Sequence, residues 1–292
     1  MKHTRSFRVR YEECSLDGFL KGAAYLRMMQ ETAFDASAAA GYGQARYREL
    51  ERTWLIRRTD LELLFPAVYG DELQVTTWVA DFHRVRSIRA YEFHRQGRGD
   101  LVARAYTDWV FIDTSRGRLV SIPPEVVAAY PAKPDERMAV LRQPFPCPPP
   151  PARGVYTEQR QVAWNDIDPV QHVNNAVYLA YIEDCARRAA DDQGYSPRRL
   201  SAEGLLLKPL RHQIEYRLSA VWGDELSIKS WISAAGKGPF ERCFTLQRGS
   251  DGESIARAVS LYIWVEAASG QSFSLPVDFT RSLPAGLPEV IS

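Results

Sequence analysis

The sequence predicts an α+β protein made of two copies of one unit, each a long helix wrapped by a curved antiparallel sheet. Three observations predict this. The first is a repeat at a constant offset of 153, without gaps. Tyr25-Leu26 falls on Tyr178-Leu179, Gly41-Tyr42 on Gly194-Tyr195 and Gly70-Asp71-Glu72-Leu73 on Gly223-Asp224-Glu225-Leu226. Trp78 likewise meets Trp231, and Ala103-Arg104-Ala105 meets Ala256-Arg257-Ala258. The second is the order within a copy: one strand, one long helix, then four strands in succession. The third is a break in composition, with eight prolines from Pro131 to Pro151. The domains expected are therefore 1–130, a proline-rich linker 131–155, and 156–292.

In the first copy, residues 5–13 read as a short strand, Phe7, Val9 and Tyr11 alternating with Arg8 and Arg10. A helix is expected from Ala23 to about Ala40, with Tyr25, Leu26, Met29, Ala33 and Ala36 as its apolar stripe and Gly41 as its stop. Strands follow over Leu55–Leu64, Leu73–Val79, Ile88–Phe93 and Leu101–Asp113. In Leu73–Val79 the period is two: Leu73, Val75, Thr77 and Val79 oppose Gln74, Thr76 and Trp78. Gly70-Asp71 and Gly97-Arg98-Gly99 supply turns. Pro148-Pro149-Pro150-Pro151 closes a segment that favours extended polyproline II, a semi-rigid spacer.

The second copy opens on the stretch Trp164–Ala186, which runs from a strand end through a polar elbow into a helix. The helix is expected over Asn175–Gln193, with Tyr178, Tyr181, Ile182, Cys185, Ala186 and Ala189 on one buried face. The elbow holds Asp166, Asp168, His172, Asn174 and Asn175, with Val173 as an apolar anchor and an Asn as N-cap. An Asp or Asn before a helix is most often a cap alone, and a single His beside apolar residues is most often structural. The elbow nonetheless sets a carboxylate and an imidazole at a helix start whose first amides lack partners. Such amides can polarise a carbonyl, and a carboxylate can activate water.

The repeat sharpens this reading. At the same offset Ser15 stands for Asp168, Phe19 for His172, Lys21 for Asn174 and Gly22 for Asn175. One elbow in a duplicated fold is polar, so one copy is expected to do chemistry and the other to supply shape.

Asp-x-x-x-His-Val-Asn-Asn-x-x-Tyr followed by Tyr-Ile-Glu resembles the active-site segment of hot-dog thioesterases. Across residues 5–130 and 156–266 the chain resembles the acyl-acyl carrier protein thioesterases of plants and bacteria, which are tandem hot-dog proteins. In the first copy the likeness rests on Gln30-Glu31-Thr32-Ala33, on Gly70-Asp71 before Thr77-Trp78-Val79, and on Ile122-Pro123-Pro124-Glu125-Val126. In the second it rests on Asp166-x-Asp168, His172-Val173-Asn174-Asn175 and Ile214-Glu215-Tyr216-Arg217. The resemblance implies a double hot-dog fold and hydrolysis of fatty acyl thioesters on acyl carrier protein or on coenzyme A; no cofactor or metal is expected. It implies catalytic roles at Asp168 and His172, with Asn174 and Asn175 at the helix start. Tyr25, Met28, Met29, Trp54 and Tyr178 are expected to bind substrate. Where the plant pattern has an Asn, this chain has Val170, and where it has Glu-Cys, Ser219-Ala220. Chemistry centred on Asp168 is then expected, without a Cys nucleophile.

With 292 residues, 45% hydrophobic, 25% charged and a net charge of +1, the chain has a globular composition with no bias toward nucleic acid or an anionic membrane. Cys14, Cys147, Cys185 and Cys243 lack metal-site spacing and suit a reducing cytosol. No signal peptide or spanning segment is legible, so a cytoplasmic protein is expected. The internal pseudo-dimer leaves a further homodimer open. For carrier-protein recognition a basic face is needed; Arg84, Arg86 and Arg89, and Arg187, Arg188, Arg198 and Arg199, are its candidates. Two other functions suit the fold, a non-catalytic acyl-binding or regulatory module and a hydratase or dehydratase.

Overall fold

The computed structural model describes residues 1–283 and 286–290. The chain divides into two compact units, Met1–Pro144 and Phe145–Ser292, with the boundary inside the proline-rich segment.

The first unit contains β1 (His3–Arg8), α1 (Gly22–Ala39), α2 (Gln44–Glu49), β2 (Arg52–Leu63), β3 (Glu72–His83), β4 (Arg86–Arg95), β5 (Leu101–Asp113), β6 (Arg118–Leu119) and α3 (Pro124–Ala129). Its strands follow the order β1-β3-β4-β5-β2, with β6 on β5, and every pairing is antiparallel. All five residues of the expected α1 stripe are buried, as are Met28 and Thr32. Gly41 ends the helix at φ 83, and the Tyr42 amide donates to the Ser37 carbonyl. That is the left-handed C-terminal turn glycine allows at least cost. The Tyr25 ring meets Phe93 edge-on at 5.2 Å, and Phe93 pairs with Val75. Leu73, Val75 and Thr77 therefore face α1.

β1 stops at Arg8 rather than at residue 13. The chain turns into a 3-10 segment at Tyr11–Glu13, capped by the Glu13 carboxylate on the Arg10 amide at 2.9 Å, and Tyr11 is exposed. β3 and β4 run on to a tight hairpin whose corner, Arg84, is at φ 51. No glycine stands there, so the sequence gives no turn signal and the strands read short.

The second unit contains β7 (Tyr156–Gln161), α4 (Asn175–Asp192), α5 (Pro197–Glu203), β8 (Leu205–Tyr216), β9 (Glu225–Ala235), β10 (Pro239–Arg248), β11 (Ser254–Glu266) and α6 (Val277–Ser282). Its strand order is β8-β11-β10-β9-β7, again antiparallel throughout. The predicted face of α4 is buried over its whole length. The short helices α2 and α3, which the hydrophobic pattern does not announce, recur at the same offset as α5 and α6. Each unit is a long helix laid against a curved sheet, the hot-dog arrangement.

The proline-rich segment does more than space the units. In the first, Met138 and Leu141 pack on Trp78, Ile88, Ala90 and Tyr106, on the sheet face turned away from α1. Arg58 donates to the Leu141 and Gln143 carbonyls at 3.2 and 2.6 Å. In the second, Phe145, Cys147 and Val155 pack on Trp231, Cys243 and Val259. Outward-facing Trp78 and Trp231 are thereby buried, a role the prolines hid because the segment's apolar residues follow no period.

Candidate active site

The elbow before α4 is a backbone device that the chain makes twice. In the second unit the Asp168 amide donates to the His172 carbonyl (3.0 Å), Gln171 to Asp168 (2.8 Å), Val173 to Ala220 (2.9 Å) and Asn174 to Asp166 (3.0 Å). In the first, Ser15 donates to Phe19 (2.7 Å), Gly18 to Ser15 (2.9 Å), Leu20 to Ala67 (2.8 Å) and Lys21 to Glu13 (3.0 Å). These are the same four bonds shifted by 153 residues. The caps match as well, since Asp166 accepts from the Ala163 amide at 2.8 Å as Glu13 does from Arg10. Asp166 also accepts from the Tyr181 hydroxyl. It is therefore a structural carboxylate, held in a role that an acidic residue fills in both copies.

What differs is the chemistry hung on this backbone. Asp168 is half-buried; its Oδ1 accepts from the Val170 amide at 3.0 Å and its Oδ2 from the Asn174 side-chain amide at 3.3 Å. The Asn174 Oδ1 meanwhile caps α4 by accepting from the Ala176 amide at 3.0 Å. Asn174 thus spans the carboxylate and the helix start, with its N–H₂ toward one and its carbonyl toward the other. The Ala176 and Val177 amides are satisfied by the Asn174 side chain and carbonyl. The Asn175 amide heads α4, where helix polarity favours a developing negative charge. The Asn175 carbonyl accepts from Tyr216 at 3.2 Å. His172 is exposed on the same loop, and Asn174, not His172, orients Asp168.

The other predicted residues lie deeper. Tyr178 is buried, and its hydroxyl accepts from the Ala220 amide at 3.0 Å, tying the loop before β9 to α4. Burial raises its hydroxyl pKa to about 12. Tyr25, at the equivalent place, meets the Ala67 backbone. Met28 and Met29 are buried on α1. Trp54 belongs to a different part of the first unit's core, its indole donating to Tyr47 at 2.8 Å and its ring 4.7 Å from Phe111. Cys185 is buried and its thiol is pushed up to about 12 by desolvation, the state of an inert core cysteine.

Three features escaped the sequence. Trp164 and Trp222 stand exposed beside the elbow as an edge-to-face pair at 5.5 Å, matched in the first unit by Tyr11 and Tyr69 at 5.8 Å. Their spacing of 58 residues, identical in both copies, was the available signal. Inside the second unit, His212 lies 1% exposed, its Nδ1 2.8 Å from the Ser260 hydroxyl and its Nε2 4.0 Å from Glu183. The first unit has Thr59 and Thr107 at these strand positions, so the substitutions were visible but their pairing was not. The proposed basic face is also largely spent. Arg86 pairs with Asp108, Arg188 with Asp184 and Glu158, and Arg199 with Glu203, while Arg89 is buried against the Tyr130 ring. Arg198 and Arg199 follow the far end of α4, which is ~27 Å long, and so stand away from Asp168.

An open concavity of about 770 Å³ in the first unit is lined by Pro66, Asp71 and Arg95 among others. Arg95 and Asp71 are bonded to each other there, and Arg248 and Asp224 repeat the bond in the second unit. This concavity is the surface of a structural turn and has none of the elbow's chemistry.

The chain is a duplicated hot-dog unit in which one of the two elbows is polar. Residues 1–130 match the family model of the acyl-ACP thioesterase N-terminal domain, and residues 162–283 match the thioesterase-like superfamily. The chain is thus similar to acyl-acyl carrier protein thioesterases over its first half and to the wider thioesterase-like superfamily over its second. A chloroplastic acyl-[acyl-carrier-protein] hydrolase of Cuphea viscosissima is 26% identical over 192 residues, covering 61% of this chain and 45% of that protein. A chloroplastic dodecanoyl-[acyl-carrier-protein] hydrolase of Umbellularia californica is 25% identical, covering 61% and 49%. The chain thus spans about half the length of these curated relatives. In fold it is similar to a putative oleoyl thioesterase of Lactobacillus plantarum, with a TM-score of 0.76, 17% identity, and 94% and 97% of the two chains covered. It is also similar to the 12:0-ACP thioesterase of Umbellularia californica, with a TM-score of 0.73, 19% identity, and 89% and 93% covered. No helix among the described residues is long and apolar enough to cross a membrane.

Proposed function

We propose that the protein hydrolyses fatty acyl thioesters, with acyl carrier protein as the thiol carrier, and releases a free fatty acid. The observation that carries this reading is the elbow made twice on one backbone, with the Asp168–Asn174 pair in only one copy. Asp168 takes a proton from water as the water attacks the thioester carbonyl. The oxygen gathers negative charge and is met by the Asn175 amide at the start of α4. Collapse of the tetrahedral intermediate expels the thiolate, and the proton held by Asp168 passes by way of exposed His172 to the departing sulfur, which regenerates the carboxylate. Asn174 keeps the carboxylate aimed and the helix start formed. Ala220, in place of the family's Cys, offers no nucleophile, and its N–H and C=O are engaged by Tyr178 and Val173.

The carrier-protein reading is supported by what the relatives are named for. Thiol release from acyl-carrier and acyl-coenzyme A substrates of equal chain length tests it. The expected result is release from both, with kcat/KM higher on the carrier substrate by tenfold or more. Preference for coenzyme A would replace the donor, and no release from any acyl thioester would leave a binding module.

A further inference from the structure

We propose that Cys147 and Cys243 form a peroxide-reactive thiol pair, whose oxidation covalently joins the proline-rich segment to the sheet of the second unit. Cys147 is half-exposed and lies in irregular chain two residues after Phe145, whose ring is inserted against Trp231, Cys243 and Val259. Cys243 is buried on β10, in the cluster of side chains against which Cys147 packs. The Phe244 carbonyl lies 3.9 Å from the Cys147 sulfur. The Arg257 guanidinium stands 5.1 Å from the centre of the Phe145 ring, held in place by Glu215 at 2.8 Å. The Cys243 thiol, and then the positive charge of Arg257, draw the Cys147 thiol pKa below its ordinary value. A half-exposed, electropositive cysteine beside a second thiol is the arrangement that reacts with peroxides and resolves to a disulfide.

The steps balance. The Cys147 thiolate attacks one oxygen of hydrogen peroxide, the O–O bond breaks, and the departing hydroxide takes up the thiol's proton as water. The sulfur, oxidised by two electrons, is left as a sulfenic acid. The Cys243 sulfur then attacks Cys147, the S–S bond forms, the S–O bond breaks, and a second water leaves. Cys147 has only irregular backbone to move in closing the bond, because no strand or helix holds it. The first unit has Ala90 at the place of Cys243, so the pair belongs to the second unit.

The chain carries its own controls. Cys185 is buried with its thiol pushed up to about 12, and Cys14 is half-exposed with its thiol raised by burial and by Glu13. The full-length protein is treated with equimolar hydrogen peroxide, alkylated and mapped by mass spectrometry. The expected product is an intramolecular Cys147–Cys243 disulfide, with Cys14 and Cys185 alkylated. In Cys243→Ser, the oxidation should stop at a sulfenic acid on Cys147 that dimedone captures. Since that buried substitution could cost folding, wild-type alkylation by iodoacetamide at neutral pH gives a second reading, with Cys147 ~10-fold faster than Cys14. Oxidation of Cys147 without linkage to Cys243 would overturn the proposal. So would disulfides between molecules, or equal reactivity of Cys14 and Cys147.

Discussion

The Asn174 side chain donates to Asp168 at 3.3 Å while its own oxygen caps α4 on the Ala176 amide at 3.0 Å. One residue thereby couples the aim of the carboxylate to the integrity of the helix start, and substitutions can separate the two. Asp168→Asn should lower kcat by ~10²–10⁴-fold, the usual worth of a general base, with an unchanged melting temperature. Asn174→Ala should lose turnover and also about 1 kcal/mol of stability with the cap. Asn174→Asp keeps a capping oxygen but sets a like charge against Asp168, so it should lose turnover and keep most of the stability. Near wild-type turnover in Asp168→Asn would remove the mechanism.

Gln171 sits at φ 66 where the first unit has Gly18 at φ 83. A side chain with a β-carbon pays in this left-handed region, and glycine does not, though glycine gives back part of the gain as chain entropy. Gln171→Gly should therefore stabilise the protein by about 0.5–1 kcal/mol. Chemical denaturation measures it, and a loss of stability would show that the Gln171 side chain makes a contact worth more than the strain.

His172 should matter through its proton and not through its packing. Its ring is exposed, so His172→Ala should leave the melting temperature unchanged. Turnover should fall by ~10²-fold, the lower end of what a general acid contributes. Unchanged turnover would take His172 out of the mechanism and leave protonation of the thiolate to solvent.

The fold was legible because duplication prints the same pattern twice. Tyr25 and Tyr178 head matching helix stripes, and Gly41 and Gly194 end both helices with the same backbone bond, Tyr42 to Ser37 and Tyr195 to Ala190, each 2.8 Å. The polar elbow was legible as a cluster of residue types at a predicted helix start. Its internal division was not. Nothing in one dimension says that Asp166 is spent on the Ala163 amide while Asp168 faces Asn174, because that depends on a 3-10 turn with no hydrophobic period. The ion pairs of Arg86 with Asp108 and of Arg188 with Glu158 were likewise hidden, since those partners lie on other elements, whereas Asp184 stands four residues before Arg188 on α4 itself. Arg89 looked like surface because Arg usually is; burial between strands and the Tyr130 ring is a tertiary fact.

Burial lowers the His212 pKa from 6.5 to about 3. The folded protein then holds this ring neutral while the unfolded chain protonates it below pH 6.5. Between pH 6.5 and about 3 the unfolded state binds more protons, so stability should fall with falling pH. The steepest loss from this one group is about 1.4 kcal/mol per pH unit. Urea unfolding at pH 7 and pH 5 should show a smaller drop for His212→Gln than for the wild type. Equal drops would mean that His212 is protonated in the fold, with Glu183, 4.0 Å from its Nε2, as its counter-charge.

Arg95 and Arg248 offer a matched pair of experiments. Each donates through Nε to the Asp of its Gly-Asp turn at 3.1 Å, and through a terminal nitrogen to the Pro66 or Ser219 carbonyl at 2.6 or 2.8 Å. The two loops therefore share one design and should lose similar stability when the guanidinium is replaced. Their consequences for turnover should differ. The loop held by Arg248 contains Ala220, whose amide and carbonyl bond Tyr178 and Val173 and so fix the elbow that carries Asp168. The loop held by Arg95 supports the elbow whose equivalent residue is Ser15. Arg248→Gln should lower kcat by ~10-fold or more, because small displacements of reacting groups are costly. Arg95→Gln should lower the melting temperature by a similar amount and leave kcat within twofold of wild type. If both substitutions lowered turnover alike, the division of labour between the copies would be wrong. If neither did, the Ala220 contacts would hold the elbow without help from Arg248.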